Sequence, residues 1–208
     1  MQDVVTETIR SYDRIAGEYC RHTLREEFRK TERRLASRFL GYMGLRGPVV
    51  ADVGCGDGRD GAYLVERGAR VLLIDLSRNM LAHAARNVPD GRPLRMDVRC
   101  LGLQGASLDG LWASGVLYHL PKSQIRAAML EIHRVTRPGG VFSFNFKVGT
   151  GEGMEANPRS YPGAPRYYAY YTFEEICTHF GGFTLLGMQE YPNRVFGDTI
   201  LHMWLRRL

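Results

Sequence analysis

Val49-Val50-Ala51-Asp52-Val53-Gly54-Cys55-Gly56-Asp57-Gly58 decides the fold of this 208-residue chain. A short, mostly β-branched run carrying one acid leads into glycines at alternate positions. Such a run is predicted to be a buried parallel strand. The glycines allow the backbone to bend sharply and to approach a ligand closely. Residues 59–68 are predicted to form a helix, whose first N–H groups lack partners within the helix and face whatever the turn holds. Strand, glycine turn and helix in this order predict a nucleotide-type cofactor site at the carboxyl end of a first strand.

Working outward, strands are expected over 49–53, 70–75, 93–96, 109–114 and 141–147, alternating with helices over 59–67, 77–87 and 122–136. Ser77 has the character of a helix cap, and Arg137-Pro138-Gly139-Gly140 stops the third helix. This alternation predicts an α/β fold with a doubly wound, mostly parallel, Rossmann-like sheet and right-handed crossovers. Two closing strands, 183–190 and 199–206, have no helix between them, so this pair adds an antiparallel edge, and seven strands are expected with the last one antiparallel. The Gly- and Pro-rich segment 149–166 is expected to be an irregular functional loop, and 172–180 a short helix.

Residues 3–43 read as two helical pieces, and 1–46 are expected to form a helical lid on a domain spanning 47–208. Leu24, Phe28, Leu35 and Phe39 recur at helical spacing and predict one buried stripe. Arg21, Arg25, Arg29 and Arg33 recur every four residues on another face. Seven basic residues against three glutamates between Cys20 and Leu40 hold most of the chain's formal charge of +6. That face is either a solvated surface or a basic wall beside an anionic substrate or RNA.

The four cysteines are far apart, with no C-x-x-C pair, and the six histidines form no metal-binding pattern. A disulfide scaffold and a metal enzyme are therefore not expected. No apolar run approaches the roughly 18 residues needed to cross a bilayer, and the N-terminus lacks a secretory pattern. A cytoplasmic protein is the expectation.

Two cofactors compete for the glycine turn. Gly56-Asp57-Gly58-Arg59-Asp60-Gly61 satisfies the dinucleotide pattern G-x-G-x-x-G, and Asp75 lies 19 residues after Gly56. In that fingerprint, however, the first glycine directly follows the strand, a place held here by Gly54. Asp52 would also repel a pyrophosphate seated on the turn. It suits the ammonium of S-adenosylmethionine, which has a sulfonium and a ribose but no phosphate. Asp75 is placed for the ribose hydroxyls and Asp97 for the adenine amine, so three acids end three successive strands. That set favours S-adenosylmethionine, with S-adenosylhomocysteine as product.

At these motifs the chain resembles the class I S-adenosylmethionine-dependent methyltransferases, of the small-molecule type. Residues 51–58 are similar to the family's glycine-rich first motif, bringing in Gly54, Gly56 and Gly58. Ile74-Asp75-Leu76-Ser77-Arg78-Asn79-Met80 is similar to the second, where the acid binds ribose and the next side chain, Leu76, flanks the adenine, with Met80 a further cofactor-binding residue. Met96-Asp97-Val98 resembles the adenine-edge motif, and Asp109 to Ser114 with Leu117-Tyr118-His119-Leu120 resembles the fourth. Tyr12-Asp13-x-x-Ala16-x-x-Tyr19 is similar to an N-terminal lid in which a tyrosine touches the cofactor. Trp112 departs from the small or aliphatic residue common in the fourth strand.

His119, at the mouth of the expected cleft, is the candidate general base or else a structural histidine capping the loop, and Tyr118 is its alternative as a hydrogen-bond donor or part of the cofactor wall. Lys147 ends the fifth strand, and Arg166, Tyr168 and Tyr171 belong to a tyrosine-rich stretch suited to a small polar or anionic acceptor. The expected reaction is methyl transfer to an O or N atom of a small biosynthetic metabolite. The fourth motif lacks the Asn/Asp-Pro-Pro form used on DNA bases. A tRNA acceptor, and a non-catalytic cofactor-binding subunit, stay open as alternatives.

Overall fold

The computed structural model describes residues 3–23, 26–156, 161, 163–192 and 197–208, and of residues 22, 23 and 26–29 the backbone only. Leu24 and Arg25, and the side chains of Phe28 and Arg29, thus lie outside the described residues, whereas Leu35 and Phe39 of the predicted stripe are buried.

The glycine stretch opens as predicted, with strand β1 (Val49–Val53) leading into helix α3 (Arg59–Glu66). Ahead of it lie α1 (Val4–Thr23) and α2 (Glu26–Met43). Beyond it come β2 (Arg70–Asp75), α4 (Arg78–Asn87), β3 (Arg92–Arg95), β4 (Leu108–Ala113), α5 (Lys122–Val135) and β5 (Thr136–Val148). Then follow β6 (Glu152–Glu155), β7 (Arg166–Tyr171), α6 (Phe173–Cys177), β8 (Phe183–Pro192) and β9 (Thr199–Arg207). Parallel pairing runs in the order β3-β2-β1-β4-β5. Helix α4 begins at Ser77, whose hydroxyl accepts the Met80 N–H at 3.1 Å. No helix among the described residues is long and apolar enough to cross a membrane.

Two expectations about the sheet are corrected. Among the described residues the sheet has nine strands rather than seven, while its antiparallel closing pair stands as expected: β9 lies between β5 and β8, antiparallel to both. Within the segment expected to be an irregular loop, and in the tyrosine run after it, β6 and β7 form a hairpin. Lys147 and Val148 of β5 pair with Tyr170 and Tyr171, while Lys147 also pairs with Ile200 of β9. Because β5 outruns its last β4 partner, Ala113↔Phe144, β7 fills the space beyond β4 and walls the carboxyl edge of the sheet. The alternation that marks a strand is missing from β7 because both of its faces are covered.

Strand parity sorts the side chains. Ala51 and Val53 join the core against α5, with Ile125, Met129 and Ile132. Val50 turns to the opposite face with Leu35 and Phe39 of α2 and Leu64 of α3.

Candidate active site

A cleft opens at the carboxyl ends of β1, β2 and β4, roofed by α1 and closed on one side by β7. It is lined by Tyr12, Tyr19, Gly54, Gly56, Asp75, Leu76, Met80, Asp97, Val98 and Ser114. Tyr118, His119, Lys147, Arg166 and Tyr168 line its other half. Most of the residues singled out from the sequence are thus brought together.

Asp52, Gly58 and Tyr171 are not. Asp52 shares the parity of Val50, so its carboxylate goes beneath α3, against the Gly61 N–H, while Val53 lines the cleft. Burial and the neighbouring Asp60 push its carboxyl well above the usual range. Gly58 turns toward α4: at φ +81, a Cβ there would stand 2.8 Å from a Val88 methyl. Tyr171 has the opposite parity from Arg166 and Tyr168 and lies in the core under the Lys122 ammonium, 4.9 Å from its ring centre.

The glycine turn spends its own donors. The Gly54 and Cys55 N–H groups go to the Ile74 carbonyl (2.7 and 3.0 Å), and Gly58 donates to the Cys55 carbonyl at 2.9 Å. Gly56 donates to Asp75 Oδ2 at 2.9 Å, and Arg59 to Asp57 Oδ1 at 3.2 Å. A dinucleotide needs such groups free to hold its pyrophosphate. This turn fits a nucleoside without phosphate.

Asp75 also accepts the Ser77 N–H at 2.8 Å, so its carboxylate bridges the turn and the start of α4 while facing the cleft. Burial raises its pKa. An ionised carboxylate has about four lone-pair sites, so acceptors are left for a ribose diol. Asp97 holds Arg99, whose Nε lies 2.9 Å from Oδ1, and the Arg99 N–H at 2.8 Å. Hydrogen bonding to Arg99 keeps Asp97 below the usual carboxylate range despite partial burial.

Helix α1 is fastened to α4 by Asp13. Its carboxylate accepts from the Ser77 hydroxyl at 2.6 Å and the Asn79 N–H at 3.1 Å, and its carbonyl accepts from the Asn79 amide at 2.9 Å. Thr8 ties the same helix to β7, its hydroxyl accepting the Tyr167 N–H at 2.9 Å. Sequence reasoning missed both roles. The adjacency of Asp13 to Tyr12 was the available signal, but nothing in the spacing named α4 as its partner.

His119 is buried with both ring nitrogens engaged. Nδ1 lies 2.6 Å from the Tyr167 carbonyl, which only accepts, so Nδ1 carries the proton. Nε2 then accepts from the Tyr12 hydroxyl at 2.9 Å. Burial drives the His119 pKa down to about 3, with the Arg166 and Lys147 charges adding to it. Burial likewise holds Tyr118 protonated far above its ordinary range. Trp112, the departure noted in β4, is buried with Nε1 donating to Asp60 Oδ2 at 3.1 Å. No group of three or more metal-ligating side chains occurs among the described residues.

Residues 50–140 match the family model described as a methyltransferase domain. Over 135 residues the chain is 32% identical to a malonyl-[acyl-carrier protein] O-methyltransferase of Pectobacterium atrosepticum, covering 64% of this chain and 50% of that protein. Over 118 residues it is 35% identical to a trans-aconitate 2-methyltransferase of Azoarcus sp., covering 55% and 45%. The chain spans about half the length of the curated relatives it matches. Among solved structures, a Burkholderia thailandensis 1,6-didemethyltoxoflavin-N1-methyltransferase with bound S-adenosylhomocysteine superposes with a TM-score of 0.70. It is 27% identical, and the match covers 93% of this chain and 87% of that one.

Proposed function

Because the chain belongs to the class I S-adenosylmethionine-dependent methyltransferases, we propose that it transfers a methyl group from S-adenosylmethionine to a small acceptor. The observation that carries this reading is the pairing of Asp75 with a glycine turn whose N–H groups are already spent. Asp75 would take the ribose hydroxyls, Leu76, Met80 and Val98 would enclose the adenine, and Asp97 would meet its amine. Bound there, the cofactor supplies an electrophilic methyl carbon on a sulfonium. Of the expected lid over 1–46, α1 alone serves as the lid, with Tyr12 and Tyr19 facing the cofactor and Asp13 latching α1 to α4, while α2 packs under the sheet through Leu35 and Phe39.

Transfer is an in-line displacement, so much of the acceleration comes from holding the acceptor atom at the methyl carbon in a dry cleft. Tyr118, Tyr168, Lys147 and Arg166 are placed to hold that acceptor. His119 positions Tyr12 rather than abstracting a proton. The malonyl, aconitate and toxoflavin acceptors named for the relatives support a small or carrier-linked acceptor.

Calorimetry with S-adenosylhomocysteine and with NAD tests the cofactor: binding of the first alone is expected, and preference for NAD would overturn the reading. Labelled methyl offered to a metabolite extract and to bulk tRNA tests the acceptor. Incorporation confined to tRNA would reverse the assignment, and binding without incorporation anywhere would leave only a cofactor-binding subunit.

A further inference from the structure

The geometry points to a carboxylate as the methyl acceptor: an organic acid, free or carrier-linked, seated against Arg166 and Lys147 and methylated on oxygen. This inference rests on the methyl-transfer reading above and narrows it.

The acceptor half of the cleft is electrostatically one-sided. Its two charged side chains are both cations, and each is only 2% exposed. The acids that line the cleft, Asp75 and Asp97, stand at the ends of β2 and β3 instead. Lys147 is braced at 2.6 Å by Asp198, which does not line the cleft, and its ammonium sits 3.8 Å from the Tyr168 ring centre. The Arg166 guanidinium packs over Tyr161, Tyr12 and Tyr168 at 5.2, 5.5 and 5.7 Å. A planar guanidinium held among rings is suited to a carboxylate, which it can grip with two parallel hydrogen bonds. A protonated amine would instead meet like charge in a dry site.

The proton inventory points the same way. A hydroxyl must give up its proton, and an ammonium must be neutralised before its nitrogen can attack, so either acceptor calls for a base. His119 faces Tyr12 from α1, Tyr118 beside it, Lys147 from β5, and Arg166 and Tyr168 from β7. Its Nε2 lone pair is held by Tyr12, and its surroundings keep the ring neutral. A carboxylate needs no base. One of its oxygens forms the new O–CH3 bond as the S–CH3 bond breaks, the bonding pair stays on sulfur, and no proton moves. Anion and sulfonium become a neutral ester and a thioether, so the product loses the charge that Arg166 gripped and is released readily.

The decisive experiment incubates the full chain with methyl-labelled S-adenosylmethionine and three sets of probes: three- to six-carbon mono- and dicarboxylic acids, the matched amines, and phenols. Products are then treated with alkali. Label transferred to acids and released as volatile methanol is expected. Alkali-stable label, or transfer only to amines or phenols, would overturn the carboxylate assignment while leaving methyl transfer standing. No label in any product, with adenosylhomocysteine still bound, would remove the methyl-transfer reading and this inference together.

On the best acid, kcat/KM should stay level from about pH 6 to about pH 9, since no proton is lost in the step. A tenfold rise per pH unit in that range would overturn the assignment. R166K should raise KM for the acid about tenfold and lower kcat by a smaller factor, with adenosylhomocysteine affinity kept within about twofold. An unchanged KM in a variant that binds adenosylhomocysteine normally would remove Arg166 as the acceptor's anchor.

Discussion

The hydroxyl of Tyr12 lies 2.9 Å from Nε2 of His119, which joins the first helix to the loop after β4 across 107 residues of sequence. The same hydroxyl accepts a hydrogen bond from Arg166, and His119 passes its other N–H to the Tyr167 carbonyl. The order Arg166, Tyr12, His119, Tyr167 is therefore a single directed chain, and Tyr12 is its hinge.

Removing that hinge should be felt in the site. Tyr12→Phe leaves a buried imidazole nitrogen and a guanidinium donor each short of one partner. A loss of about 1–3 kcal/mol in unfolding free energy is expected, together with a lower kcat/KM. Urea denaturation and steady-state kinetics check the two parts. An unchanged pair of values would mean that water replaces the hydroxyl at no cost.

Asp13 should matter to cofactor affinity although it does not line the cleft. Asp13→Ala removes acceptors for the Ser77 hydroxyl and the Asn79 N–H. A loss of about 1 kcal/mol is expected in the docking of α1, read as roughly fivefold weaker adenosylhomocysteine binding and faster proteolysis within α1. Calorimetry and limited digestion measure these effects.

Asp75→Ala withdraws the acceptor that ties Gly56 to Ser77 and faces the expected ribose. Adenosylhomocysteine affinity should fall at least tenfold, since hydrogen bonds to a charged group contribute about 1.5–3 kcal/mol. Affinity unaltered by this change would disprove the ribose assignment.

Gly58→Ala separates packing from binding. The new methyl would crowd Val88 and Ala84 at a positive φ, and a cost of about 1–3 kcal/mol is expected in thermal unfolding. The side chain would not enter the cleft, so the folded fraction should bind adenosylhomocysteine with near-normal affinity.

A pH effect should come from Glu32 of α2, whose carboxylate accepts from the Ser114 hydroxyl at 3.4 Å. Burial and Asp60 push the Glu32 carboxyl up to about 7. The folded state therefore holds a proton that the unfolded chain has released above its ordinary carboxylate pKa. The group's contribution is present in full below that unfolded value and is lost as pH rises toward about 7. Glu32→Gln should accordingly stabilise the protein by about 1–3 kcal/mol at pH 8 and have little effect near pH 4. Urea titrations at the two pH values would show the difference. A larger gain at the acidic end would mean that the Glu32 pKa is lowered on folding rather than raised.

The residues around Val49 to Gly58 were enough to place the first strand, the turn and the helix, because hydrophobic period and glycine freedom are local properties. Asp75 could be placed at the cleft for the same reason, since it follows the apolar run Val71 to Ile74, and Asp97 because it follows the short predicted strand 93–96. The position of Asp52 was not legible, because a strand's parity with respect to its neighbours is set by packing. The turn could have received a phosphate on sequence grounds, and it is long-range hydrogen bonds from Gly56 to Asp75 and from Gly54 to Ile74 that consume its donors.

The sequence by itself determined an α/β sheet with a nucleoside-type site at its carboxyl edge, since alternating periodicities and glycine spacing are written in neighbouring residues. Only the tertiary structure decided which side chains share that site. The register of β7 on the overrunning end of β5 turns Arg166 and Tyr168 into the cleft and Tyr171 into the core on the other face. The Tyr167 carbonyl of β7 fixes the tautomer of His119, and the docking of α1 brings Tyr12 to the nitrogen left as acceptor. Both are pairings between residues far apart in the chain, chosen by the burial and hydrogen bonding of the whole fold, and no local pattern records them.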